Sequence, residues 1–161
     1  MIKLITSLEE IDSTLEDFEF IKLLFSNSKR VYEQLGPGHA ESTYQKALLY
    51  ELNLHNLSID IERHISVTYE DTLGNKHNIT SERIDLYIHK NNSLNKTDTV
   101  LELKAVSKPI QEQEIVQVKK YIRELYKDNI KINYGFVINF PQPTSKATSN
   151  EIQFMLVSLL L

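Results

Sequence analysis

Val100-Leu101-Glu102-Leu103-Lys104-Ala105-Val106 is the stretch on which the rest of the chain depends. As a strand it sends Glu102 and Lys104 to one face and Leu101, Leu103 and Ala105 to the other, because side chains alternate with period two. The two charges then lie roughly 6.5 Å apart along one face, close enough for a carboxylate and an ammonium to act on one ligand. Flanking Val100, Leu101, Leu103 and Val106 predict an inner strand, where burying unpaired charges costs several kcal/mol and a shared ligand is favoured. Seventeen residues upstream, Ile84-Asp85-Leu86 puts a second carboxylate inside another strand-like run, 83–89. Two carboxylates beside a lysine suggest a metal site.

Outward from this strand, Ile59, Ile61, Ile65, Val67 and Tyr69 come in near alternation and Leu73-Gly74-Asn75 supplies a turn, which predicts a hairpin with arms at 59–69 and 77–88. Before the hairpin the period is helical. Leu15, Phe18, Ile21, Phe25, Val31, Tyr32 and Leu35 predict an amphipathic helix over 15–35, stopped by Gly36-Pro37-Gly38. A second helix is expected over 40–55, with Tyr44, Ala47, Leu48 and either Glu51 or Leu52 inward and Glu41 in the first turn. After the central strand, Pro109 opens a helix to 127 whose inward face is Ile110, Ile115, Val118, Ile122 and Leu125. A strand at 134–140 and a polar loop at 141–150 follow, and 152–161 reads as strand or helix. This order predicts an α/β fold, a mixed central sheet flanked by helices with a right-handed β-helix-β crossover.

Length predicts a single domain over 1–161, with helices at 15–55, a core at 59–140 and a C-terminal apolar segment at 151–161. The absence of cysteine excludes disulfides, thiolate metal sites and cysteine nucleophiles. Residues 1–18 carry five acidic side chains and no long apolar core, so no export signal is expected and the default location is intracellular. The run 154–161 is far short of the ~20 residues that span a bilayer. A net charge of −4 argues against a broad electrostatic grip on nucleic acid, yet 104–131 holds seven basic against four acidic residues, gathered around the candidate site. The five histidines show no ligand spacing, and His39 reads as a turn residue.

Asp85, then Glu102-Leu103-Lys104, then Gln117 and Tyr121 on the next helix resemble the PD-(D/E)XK nuclease superfamily in its RecB-like branch, which has a QxxxY motif. Gly38-His39-Ala40-Glu41-Ser42-Thr43-Tyr44 is similar to the GxxExxY signature of small stand-alone proteins of that superfamily. Arg83-Ile84-Asp85 and Gly135-Phe136-Val137-Ile138-Asn139-Phe140 extend the resemblance over 31–140. Ile84 stands where the superfamily name has proline, and Glu114-Ile115 where His-Glu is frequent.

The resemblance implies a restriction-endonuclease-like core and a Mg²⁺- or Mn²⁺-dependent deoxyribonuclease that hydrolyses phosphodiester bonds in DNA. The chemistry of the residues agrees: Asp85 and Glu102 offer hard carboxylate oxygens suited to Mg²⁺, and Lys104 can orient water or stabilise developing charge. Glu41 is expected to reach the metal directly or through water. The backbone carbonyl of Leu103 completes the shell in relatives. Gln117 and Tyr121, four residues apart on one helical face, are expected to hold the substrate backbone or Lys104. Two other classes stay open: an inactive nuclease-like fold that binds nucleic acid or protein, and a structural subunit whose apolar C-terminal segment forms a homodimer.

Overall fold

The computed structural model describes residues 1–144 and 151–159. Strand β1 (Ile2–Ile5) precedes two helices, α1 (Phe18–Leu35) and α2 (Glu41–Asn53). The hairpin β2 (Ile59–Glu70) and β3 (Lys76–Ile88) leads into the central strand β4 (Thr99–Lys104), then α3 (Glu112–Lys127), β5 (Gly135–Asn139) and β6 (Gln153–Val157). The six strands form one sheet in the order β1-β6-β5-β4-β3-β2. β4 and β5 are parallel, joined through α3, and the other neighbours are antiparallel, so the sheet is mixed as expected.

Each face of the sheet has its own apolar cluster. Leu86, Ile88, Leu101, Leu103, Phe136, Ile138, Phe154 and Leu156 pack with α1 and α2, through Phe20, Ile21, Leu24, Phe25, Tyr44, Leu48 and Leu52. Tyr87, Val100, Val137 and Val157 pack with Ile115, Val118, Tyr121, Ile122 and Leu125 of α3. The alternation read in the central strand is therefore real, and β4 lies inside the sheet. Gly135 permits the close seat of α3: a β-carbon there would stand 2.5 Å from a Val118 methyl and 3.0 Å from one of Val100.

Three element predictions change. β1 was not anticipated, because four residues flanked by polar chain carry little periodic signal; it pairs with β6 at the edge of the sheet. α3 starts at Glu112 rather than Pro109, since Glu114 accepts a hydrogen bond from the Gln111 backbone N–H at 3.0 Å and so fixes the first turn. Within the ambiguous C-terminal segment, Gln153–Val157 is a strand, hydrogen-bonded on both sides. Phe154, Leu156 and Val157 are buried in the protein's own two clusters, which removes the support for a homodimer through that segment. The loop expected at 141–150 falls, beyond residue 144, outside the described residues. Among the described residues no helix is long and apolar enough to cross a membrane.

Candidate active site

The hairpin does something that the alternating pattern of its sequence conceals. Ile59 packs on the α1 face and pairs with Ile88, and Ile61 pairs with Leu86 of the same cluster. Two residues further, Arg63 pairs with Ile84 and Ile65 with Glu82 in the same register, yet Ile84 and Ile65 lie in the α3 cluster. Both strands change face at Glu62 and Asp85, the one rung between the pairs Ile61 with Leu86 and Arg63 with Ile84, where the ladder has no pair. The cause is visible in the backbone: Glu62 sits at φ +54°, in the left-handed region that an L-residue with a side chain enters at a cost of roughly 1–2 kcal/mol.

At the same rung β3 and β4 part. Their pairing covers only Leu86 with Leu101, Tyr87 with Val100, and Ile88 with Thr99. β4 runs on to Lys104 beside β5. The backbone N–H of Leu103 is thereby left without a strand partner, and Asp85 supplies one: its Oδ2 accepts that N–H at 2.7 Å. The N–H and C=O of a strand residue point the same way, so the Leu103 carbonyl also opens into this fork. Glu102, opposite Val137 on the α3 face, is 5 % exposed. Its Oε1 lies 3.6 Å from Lys104 Nζ, and its Oε2 is buried with no hydrogen-bond partner.

The electrostatics follow from this crowding. Burial first, then the charge of Asp85, pushes Glu102 up to about 8, against the opposing pull of Lys104. Asp85 is raised by burial and by Glu62, although the Leu103 N–H works the other way. Glu41, the first residue of α2, reaches the surface but is raised by burial and by Asp85, with Lys104 opposing. The structure thus brings Glu41, Asp85, Glu102 and Lys104 within one another's fields. Lys104 is partly buried on an inner strand, not a solvent-facing edge lysine.

The helix signature around Glu41 works by holding that turn. Gly36 and Gly38 adopt φ +67° and +99°, conformations open to glycine. Tyr44 donates to the Gly36 carbonyl at 2.7 Å and stacks on Phe140 with ring centres 4.6 Å apart. Gln142 accepts from the Gly38 N–H at 2.7 Å and donates to the Tyr44 hydroxyl at 3.0 Å. His39 lies in the irregular link between α1 and α2, with its ring Nε2 3.1 Å from the Leu35 carbonyl.

Gln117 and Tyr121 face each other and the backbone of β3. Gln117 donates to the Tyr121 hydroxyl at 2.7 Å, and that hydroxyl donates to the Arg83 carbonyl at 3.1 Å. The pair therefore clamps β3 two residues before Asp85 rather than holding Lys104. Burial and the nearby Glu102 charge push the Tyr121 phenol up, which keeps it a donor.

Two residues at the site were missed in the sequence. Gln45 Nε2 donates to the Asp85 carbonyl at 2.8 Å and to Glu62 Oε1 at 3.2 Å. Glu62 gave no signal, because regular alternation places it on an outward face. Gln45 lies four residues after Glu41, and that spacing alone put it on the same helical face.

Among the described residues no three His, Asp or Glu side chains are already arranged as a metal-ligand set. The donor chemistry nevertheless fits a hard divalent cation: carboxylates held above their usual pKa range by burial and by each other, one with an orphaned buried oxygen, are groups that a cation returns to the ionised form. Compared with curated proteins, the chain matches none. The family model of the PD-(D/E)XK nuclease superfamily matches residues 19–152, a span that takes in α1, α2, the fork and α3. With the mixed sheet, the Asp85 fork and Glu102-Leu103-Lys104 on its inner strand, that match makes this chain a member of the PD-(D/E)XK nuclease superfamily.

Proposed function

We propose that this protein is a Mg²⁺- or Mn²⁺-dependent deoxyribonuclease of the small GxxExxY type, in the RecB-like branch. The observation that carries the reading is the buried, unpartnered oxygen of Glu102 beside Asp85 and Lys104, inside a superfamily whose general chemistry is phosphodiester hydrolysis. Asp85, Glu102, the Leu103 carbonyl and Glu41 would hold the cation. The chemistry such a cation supplies when bound is screening of the phosphate charge and acidification of water.

The chain's own residues do the rest. Lys104 presents a positive charge on the same face as Glu102, with donors left over for a phosphate oxygen, and stabilises the negative charge that grows there during attack. Asp85 is held in place by the Leu103 N–H and therefore needs no reorganisation when substrate arrives. Gln117 and Tyr121 fix the strand that carries it. Glu41 approaches on α2, anchored by the Gly38 and Tyr44 turn.

The alternative of an inactive binding fold draws on the net charge of −4, but an inactive fold has no need of Asp85, Glu102 and Lys104 together. Wild type, Asp85→Ala and Lys104→Ala incubated with single-stranded DNA, double-stranded DNA and RNA, with Mn²⁺ or with EDTA, separate the two. Metal-dependent cleavage of DNA by wild type alone supports the nuclease reading. No cleavage by wild type, or equal cleavage by all three proteins, overturns it.

A further inference from the structure

Gln45 has two donors on one amide nitrogen and spends both on groups that only accept: the Asp85 carbonyl at 2.8 Å and the Glu62 carboxylate at 3.2 Å. That pairing determines which way the amide faces, since its oxygen turned inward would meet two acceptors. The nitrogen thus ties α2 to the one rung at which β2 and β3 change face, the rung that also carries Asp85. Glu41 lies one helical turn before Gln45 on the same face of α2. Apolar packing of Tyr44, Leu48 and Leu52 with Leu86 and Ile88 already seats α2 on the sheet. Among the described residues, the Gln45 amide adds the one hydrogen bond from the helix that carries Glu41 to the strand that carries Asp85, and so fixes their spacing at the site itself.

Glu62 completes the device. A glutamate at φ +54° in a strand is unfavourable, and an asparagine or glycine would adopt that backbone at lower cost. What glutamate adds is an acceptor long enough to hold the second Gln45 proton. The same carboxylate lies near enough to Asp85 and Glu41 to raise both, so its position at the fork is electrostatically unfavourable as well as strained.

Resting on the nuclease reading, we propose that Gln45, oriented by Glu62, is the positioning residue that sets the spacing of Glu41 and Asp85, and with it the affinity of the site for a divalent cation. The test uses Mn²⁺ titrated calorimetrically into metal-free full-length protein, together with kcat and KM for a DNA substrate and a circular dichroism melt. The variants are Gln45→Leu, Glu62→Leu and Glu62→Gln, with Asp85→Ala as reference. Gln45→Glu, equal in shape but without donors, replaces Gln45→Leu should the latter fail to fold.

Gln45→Leu and Glu62→Leu are expected to weaken Mn²⁺ binding and lower kcat by roughly 10–100-fold, the effect typical of residues that orient metal ligands, with KM nearly constant. Glu62→Gln keeps a carbonyl that accepts the Gln45 proton and should lose about tenfold less than Glu62→Leu. Mn²⁺ binding by Gln45→Leu equal to wild type, alongside its loss in Asp85→Ala, overturns the positioning role and leaves the nuclease reading intact. Equal losses in Glu62→Gln and Glu62→Leu also overturn it, because the charge of Glu62 and not its acceptor would then matter. A wild type that neither binds Mn²⁺ nor cleaves removes the nuclease reading and this inference with it.

Discussion

Two neighbouring positions on one strand, Tyr87 and Asp85, treat charge in opposite ways. Around Tyr87, 0 % exposed, each carboxylate has donors: Asp98 accepts from the Tyr87 hydroxyl and from the Lys90 N–H, and Asp60 accepts from Arg63 at 3.2 Å and faces His89 at 2.8 Å. Arg63 also lies over the Tyr87 ring, 3.9 Å from its centre. Two residues away, Asp85 faces Glu41, Glu62 and Glu102, with Lys104 as the opposing cation, and an oxygen of Glu102 is orphaned. The surroundings of Tyr87 satisfy their charges internally and those of Asp85 leave them in conflict. A fold stores such conflict where a ligand relieves it.

Substitutions can break this contrast, and the largest effect is expected at the conflicted position. Asp85→Ala should reduce metal-dependent cleavage at least about 100-fold, because it removes a proposed metal ligand and the partner of the Leu103 N–H together. Wild-type rates in that variant, measured on labelled DNA, would place the chemistry elsewhere.

Gly135→Ala tests the packing that sets β5 under α3. It should destabilise by roughly 1–3 kcal/mol through overpacking against Val118 and Val100, read as a lower Tm. An unchanged melt would mean that α3 can lift away without penalty.

Glu102 gives the contrast a pH signature in metal-free protein. Its folded pKa, about 8, lies above its ordinary 4.5, so the folded state keeps a proton that the unfolded state has released. Stability should fall as pH rises from about 4.5 to about 8, and the full penalty remains above that. Glu102→Gln, measured in EDTA by urea denaturation, should flatten this slope and raise stability near pH 8. An equally steep slope in the variant would assign the dependence to other groups.

Around Tyr87 the effect should be smallest. Tyr87→Phe removes one hydrogen bond and leaves Asp98 its Lys90 N–H, for a cost of about 1 kcal/mol in denaturant melts and no loss of Mn²⁺ binding. A drop in Mn²⁺ affinity would show that the Tyr87 and Asp85 surroundings are coupled.

The same contrast explains what could be read from the residues alone. Val100 to Lys104 was legible because β4 is an inner strand with a different cluster on each face, so period two maps directly onto burial. Glu41, Asp85, Glu102 and Lys104 were legible as motif residues, and the fold brings them together. Residues 59–69 were read as one alternating face, and they are two: the reversal at Glu62 is a backbone event that leaves the pattern of apolar residues unchanged. For the same reason Glu62 and its partner Gln45 escaped notice. Gln117 and Tyr121 were located correctly, but their partner is the Arg83 carbonyl, and main-chain acceptors carry no residue-type signal. β1 was illegible because Ile2–Ile5 acquires its structure from pairing with β6, more than a hundred residues away.

The most direct measurement is anomalous diffraction from a crystal grown with Mn²⁺. The account predicts an anomalous peak in the fork between β3 and β4, bounded by the carboxylates of Asp85 and Glu102, and its absence from a crystal of Glu102→Gln. Ordered protein with no peak in the fork, or a peak held by other residues, would contradict it.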